Sequence, residues 1–513
     1  MLRKNLFLFY LLITISIGAF AQQKNVDILI KNAYVFNGDG KDSILVNVGI
    51  TGERITYIGK EELKAKEVID AKGKFVAPGF IDPHTHADRW IADRKRNDML
   101  AWLYQGVTTV FAGNDGFGPY KIEQKTKEFE DIGMGTNFAL FVGFGPVRQA
   151  ILANNNVTPT ADQLEQMKNM VAQGMQEGAI GFSTGLIYLP QMFSKTSEVA
   201  TLYKEAAKYN AVYDTHMRNE GDKVEESVDE VLNIGDHVNL PLHISHIKIA
   251  GEGNWGKADA IISKISKARA KGINITANQY PFVASMTSLK ATLMPAWAQE
   301  GGSKKTLERF ENDTDLGRIK NALAKKSDDV YKRIIVMSKN NKLAQIAGKS
   351  VYDIAQMWNK SNEDAAIDIF KMDIAVSCVN FSMSEDDVVK LMKQPWVMTG
   401  SDGGGQHPRT YSTFTRIIEE YVQKRKLMSL SWAIHRATGL TATIFNLKDR
   451  GFIKEGYYAD LIVFDPKNVK ANSTFPEPER YSEGMDYVFV NGVKAVDKGK
   501  KTGNLAGKII KKQ

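Results

Sequence analysis

Between residues 75 and 399 one pattern repeats: a short run rich in β-branched and aromatic residues, a turn, then a longer stretch with apolar residues at helical spacing. A helix-length link returns the chain to its starting edge, so the next strand runs parallel to the last. The strand candidates are residues 75–82, 107–111, 138–142, 179–182, 212–215, 240–245, 273–277 and 396–399. Eight such strands close a barrel that their own side chains fill. The predicted class is therefore α/β, a (β/α)8 TIM-like barrel. The seventh link is too long for one helix, and residues from about 285 to 375 are expected to form a helical insertion over the barrel mouth.

The two ends of the chain have a different texture. Residues 28–30, 33–36, 44–50 and 55–58 alternate with turn residues and read as antiparallel strands, as do residues 461–464, 487–490 and 493–496, the last two joined by Asn491-Gly492. At 513 residues the chain exceeds what one core organises. The ends, residues 22–72 and 451–513, are expected to build one small β-sandwich beside a barrel domain spanning residues 73–450.

Residues 1–21 stand apart: Arg3 and Lys4 precede an apolar run over residues 6–20 that closes with Ala19-Phe20-Ala21. This is the signature of a secretory signal peptide, so the mature protein is expected to be exported, periplasmic or secreted. No later segment reaches the length of a membrane span, which argues against stable membrane insertion after signal removal. The formal net charge of +8 comes largely from lysines scattered on polar faces, apart from Lys508, Lys511 and Lys512, which argues for solvated surface and against nucleic-acid binding. A single cysteine, Cys378, excludes an intrachain disulfide.

In barrels of this kind chemistry sits at the C-terminal ends of the strands. The first candidate strand ends in Asp82-Pro83-His84-Thr85-His86, where a spacing of two places both imidazoles on one face of an extended chain. The second is followed by Asn114-Asp115, the fifth by His216, the sixth by His246 and the eighth by Ser401-Asp402. Of eight histidines, four fall at these ends, and with two carboxylates they suit one or two Zn2+ or another divalent ion in a site open to water. The expected ligands are His84, His86, Asp115, His216, His246 and Asp402. His243 has the opposite strand parity to His246 and is expected to support packing, while His237 and His435 are expected on the surface.

These motifs resemble the amidohydrolase superfamily, specifically its N-acyl-D-amino-acid deacylase (D-aminoacylase) branch, over essentially the whole mature chain. The superfamily pattern is carried by residues 77–86, by Gly106-Val107-Thr108-Thr109-Val110 and by Ala459-Asp460-Leu461. The branch is carried by Gly185-Leu186-Ile187-Tyr188, Thr215-His216-Met217-Arg218-Asn219-Glu220, Ile244-Ser245-His246-Ile247-Lys248, Asn254-Trp255-Gly256-Lys257, Gln279-Tyr280-Pro281, and Gly400-Ser401-Asp402 leading to His407-Pro408-Arg409. Two departures stand out. Asp115 occupies the place of the family's cysteine ligand in Gly113-Asn114-Asp115-Gly116, and Phe144 follows the third strand where the family often has histidine.

The resemblance implies metal-dependent hydrolysis of N-acyl-D-amino acids to a carboxylate and a free D-amino acid. Asp402 would be the catalytic proton shuttle, with a helix N-cap as its structural alternative. Lys248, Tyr280 and Arg409 would hold the free carboxylate of a small-molecule substrate. The D stereochemistry follows from the resemblance alone. Hydrolysis of a D-residue dipeptide, a cyclic amide or a lactone is the alternative, and a non-catalytic binding scaffold a more distant one.

Overall fold

In the computed structural model, which describes residues 25–512 except position 237, eight parallel strands follow one another around a barrel. They are Phe80–Asp82, Val107–Ala112, Asn137–Gly143, Gly181–Gly185, Val212–His216, Leu242–Ile244, Ile275–Gln279 and Val397–Thr399. The signal segment expected over residues 1–21 and the histidine His237 lie outside the described residues. Each strand pairs in parallel with the next, from the first to the eighth. Closure comes one step past the strand ends: Asp402 N donates to His84 O at 2.9 Å, and His86 N donates to Gly403 O at 2.7 Å. The backbone that carries the candidate ligands thus completes the barrel mouth.

The first expected run, residues 75–82, is two strands and not one. Phe75–Pro78 pairs with Asn25–Val35 and Leu461–Phe464 in the second sheet, and only Phe80–Asp82 enters the barrel. The break is at Gly79, where an added Cβ would lie 2.2 Å from Thr108 Oγ1, so only glycine lets the backbone pass between the sheets. Both halves are almost wholly buried, and apolar periodicity does not register the crossing.

Both chain ends build that second, nine-stranded sheet around a core that includes Ile30, Val48, Ile55, Leu461 and Phe489. The expectation of purely antiparallel pairing is corrected, because Asn25–Val35 pairs in parallel with Lys64–Asp70 as well as with Phe75–Pro78. Lys64–Asp70 escaped the sequence reading since only Ile69 of its side chains is buried. The turn at Asn491-Gly492 has φ of 49° and 78°, the left-handed pair a two-residue hairpin requires. The last strand, Ile509–Ile510, leaves this sheet for the barrel and pairs in parallel with Phe138–Ala139. Asn137 explains the switch, its Oδ1 accepting from Lys508 N at 3.0 Å and Asn491 Nδ2 at 2.8 Å.

The expected helical insertion contains a sheet. Ser285–Ser288, Ser377–Asn380 and Ile334–Met337 form three antiparallel strands in that order, with helices from Leu289–Leu293 to Asn362–Met372 packed on a separate core that includes Phe310, Tyr331, Phe370 and Cys378. Strands of four residues are too short to outweigh the helical periodicity around them. Met286, Lys326 and Ser377 of this segment wall cavities that open on the barrel mouth. Among the described residues no helix is long and apolar enough to cross a membrane.

Candidate metal centre and active site

Asp115 stands at the middle of the site. Its Oδ1 lies 3.3 Å from His84 Nε2, 3.3 Å from His246 Nε2 and 3.7 Å from His216 Nδ1, and its Oδ2 lies 3.3 Å from His86 Nε2. Asp402 Oδ1 joins from the eighth strand at 3.2 Å from His86 Nε2 and 3.6 Å from His84 Nε2. Two ligand sets share Asp115: His84, His86 and Asp402 on one side, His216 and His246 on the other. All six expected ligands therefore meet.

These residues fit a metal better than they fit one another. Both ring nitrogens of His84 and Nε2 of His216 are buried without a hydrogen-bond partner, an arrangement costly in the absence of a cation. His216 Nδ1 and His246 Nε2 face each other at 3.0 Å beside one carboxylate oxygen, as lone pairs sharing an ion would. Burial opposes ionisation of Asp115, but His84, His216 and His246 outweigh it and hold its carboxyl well below the usual range. Asp115 (φ 57°), His246 (φ 33°) and Asp402 (φ 49°) all adopt left-handed backbone, a local cost of about 1–3 kcal/mol each that the surrounding bonds must offset.

Those bonds come from a buried layer beneath. Asp214 accepts from Ser245 Oγ at 2.7 Å, Ser183 Oγ at 3.0 Å and Asn114 Nδ2 at 3.1 Å, and so ties the fifth strand to the turn that carries Asp115. Asp82 accepts from Ser401 N at 2.9 Å, Trp102 Nε1 at 3.1 Å and the Ser401 hydroxyl; burial nevertheless pushes its carboxyl up to about 6. Asn278 Oδ1 accepts from His246 N at 2.7 Å, and its Nδ2 donates to His243 Nε2 at 2.8 Å. His243 is thus fully buried support, as its parity implied.

Lys248, Tyr280 and Arg409 are all buried at the mouth. The Tyr280 ring is close to both cations, with Arg409 Cζ at 4.8 Å and Lys248 Nζ at 5.9 Å from its centroid. Neither cation waits alone: Arg409 Nη1 is 2.7 Å from Asp402 Oδ2, and Lys248 Nζ is 2.6 Å from Glu220 Oε1. Burial works against the charge on Asp402, but Arg409 and the neighbouring histidines overcome it and depress its pKa far below the ordinary value. Asp402 is not a helix cap, because the following helix, Pro408–Arg416, is capped by His407, whose Nδ1 accepts from Arg409 N at 3.0 Å.

Glu220 closes the motif Thr215-His216-Met217-Arg218-Asn219-Glu220, and the sequence alone assigns it no role. Its Oε1 lies 3.1 Å from His246 Nδ1 and its Oε2 lies 3.6 Å from His216 Nε2. A carboxylate set behind two imidazoles steers their rings so that the opposite nitrogens, His216 Nδ1 and His246 Nε2, point at Asp115. The available signal was its place four residues beyond His216, past a strand end. Tyr188, edge-on to His216 with centroids 5.0 Å apart, also went unassigned. One expectation changes. His435 is half-buried, not a surface residue, and its Nδ1 donates to Gly38 O at 2.8 Å. Phe144, which replaces the family's histidine, is buried in the barrel core against Phe182.

Residues 67–250 and 300–496 match the profile of the Amidohydrolase family. The chain is 32% identical over 498 residues to an N-acyl-D-glutamate deacylase of Alcaligenes xylosoxydans xylosoxydans, covering 92% of this chain and 93% of that one. The crystal structure of a D-aminoacylase superposes with a TM-score of 0.82 at 29% identity, covering 95% of this chain and all (100%) of the other. That of N-acyl-D-glutamate deacylase from Bordetella bronchiseptica, complexed with zinc and a phosphonate mimic of the tetrahedral intermediate, superposes with a TM-score of 0.81 at 29% identity, with coverage of 95% and 100%.

Proposed function

Since the chain belongs to the amidohydrolase family, and deacylases of N-acyl-D-amino acids match it end to end, we propose that it hydrolyses the amide bond of N-acyl-D-amino acids to a carboxylate and a free D-amino acid. The observation that carries the reading is the single carboxylate, Asp115, within 3.3 Å of ring nitrogens of His84, His86 and His246 and with Asp402 beside it. The residues that would hold one or two divalent ions, Zn2+ by preference, are His84, His86, Asp115, His216, His246 and Asp402. Such an ion, when bound, supplies Lewis acidity to the amide carbonyl and acidity to water.

The chain's own groups account for the rest. Asp402, ionised against burial, takes the proton of the attacking water and gives it to the leaving nitrogen, a role worth about 10²- to 10⁴-fold. Glu220 fixes the orientation of His246 and, through Lys248, links that histidine to the substrate-binding wall. Lys248, Tyr280 and Arg409 receive the substrate's free carboxylate; the Tyr280 hydroxyl, buried without a hydrogen-bond partner, supports this reading. A cavity of about 620 Å³, of the size that holds a small organic ligand, opens from Asp402, His216 and Lys248. Arg3-Lys4, the apolar run and Ala19-Phe20-Ala21 support export to the periplasm or medium.

A panel of N-acetyl D- and L-amino acids, run on zinc-loaded protein beside dihydrouracil and a lactone, tests the reaction. Turnover confined to the D-series supports the reading. Faster turnover of the cyclic amide or lactone overturns it.

A further inference from the structure

Four cations line the 620 Å³ cavity, and three of them are already matched. Arg218 Nη2 is 2.9 Å from Glu230, Lys248 Nζ is 2.6 Å from Glu220, and Arg333 pairs with Glu252. Lys326 is the exception. It lies on the wall contributed by the insertion, half-buried, and among the described residues its ammonium has neither a hydrogen bond nor an ion pair. Burial lowers its pKa, and the charge of Asp222, also on the cavity wall but beyond pairing distance, works against that. Asp222 in turn accepts from Asn254 Nδ2 at 2.9 Å, which holds it on that wall. A partly desolvated cation fixed beside a cavity without a matching anion is poised to take one from a ligand.

We propose that Lys326 is a specificity residue that binds a second carboxylate of the substrate, carried by the side chain of the amino acid released. This rests on the deacylase reading above. If Lys248 holds the α-carboxylate, the amino-acid half of the substrate occupies the same cavity that Lys326 lines, and its side chain shares that space with the Lys326 ammonium. The preferred substrates are then N-acyl derivatives of acidic D-amino acids.

The test uses the zinc-loaded full chain and its Lys326→Met and Lys326→Arg variants, with N-acetyl-D-glutamate, N-acetyl-D-glutamine and N-succinyl-D-glutamine as substrates. Lys326→Met should raise KM for N-acetyl-D-glutamate about 10-fold, as for one half-desolvated charge contact, with kcat little changed. N-acetyl-D-glutamine should be unaffected, and Lys326→Arg should keep most of the preference. A loss confined to the succinyl substrate overturns the side-chain assignment. Equal changes on all three substrates, or no change on any, overturn the role of Lys326. Failure of the underlying reading is separately visible: the wild type would then turn over none of the three while still hydrolysing dihydrouracil or a lactone.

Discussion

Arg409 Nη1 stands 2.7 Å from Asp402 Oδ2, so the cation expected to anchor the substrate's carboxylate also grips the carboxylate expected to move the proton. An anchor for a charge that does not change during reaction acts mainly on KM. A partner of the proton shuttle acts on kcat as well. Arg409→Met is therefore expected to cost roughly 2 to 4 kcal/mol in kcat/KM, divided between the two constants. Steady-state kinetics on an N-acetyl-D-amino acid and on its carboxamide separate the roles. Part of the loss should persist on the amide; a loss that vanishes there would leave Arg409 as an anchor only.

For Asp402 the expected signature is different. Asp402→Asn removes the proton acceptor but leaves His84, His86, Asp115, His216 and His246 in place. Metal content should stay near that of the wild type while kcat falls by at least about 10²-fold. Elemental analysis and kinetics on one preparation decide it, and near-normal turnover removes Asp402 from the mechanism.

The strand ends were legible because chemistry in a barrel gathers there: His84, His86, Asp115, His216, His246 and Asp402 were all readable from position after a β-branched run, and all meet within one site. What the sequence concealed depends on contacts between distant segments. Gly79 divides a continuous apolar run because Thr108 leaves no room for a Cβ, a fact of packing and not of pattern. Lys64–Asp70 is a strand whose side chains mostly face solvent, so no alternation marks it. Glu220 and the pairing of Arg409 with Asp402 are relations between side chains on separate elements, which spacing along the chain does not encode.

Asp115 offers a harder ligand than the thiolate it replaces, and it reaches both ligand sets. Asp115→Ala should lower the zinc retained after dialysis, and Asp115→Cys should retain at least as much as the wild type. Because φ at this position is 57°, alanine also carries backbone strain, and Asp115→Asn, which tolerates that conformation, is the control. Equal zinc in the wild type, the alanine variant and the asparagine variant would place Asp115 outside the coordination shell.

His243 ties the stability of the fold to that of the site. Its Nε2 accepts from Asn278 Nδ2 at 2.8 Å, so its Nδ1 carries the proton and donates to Thr276 Oγ1 at 2.8 Å; a second proton would abolish the only acceptor on the ring. Burial, with His84 and His246 adding to it, pushes the imidazole down to about 3 from an ordinary 6.5. The unfolded chain therefore takes up the proton first. The stability from keeping this ring neutral is fully present above pH 6.5 and is lost as pH falls toward about 3, at about 1.4 kcal/mol per unit. Between pH 7.5 and pH 5, metal-free wild type should lose about 2 kcal/mol more than His243→Gln, which cannot titrate there. The loss should also reach the ligands, because Asn278 holds His246 N through its other end at 2.7 Å. Urea unfolding at the two pH values measures the first effect, and zinc affinity at the same pH values measures the second. Parallel pH dependence in wild type and variant would show that His243 is not the titrating group.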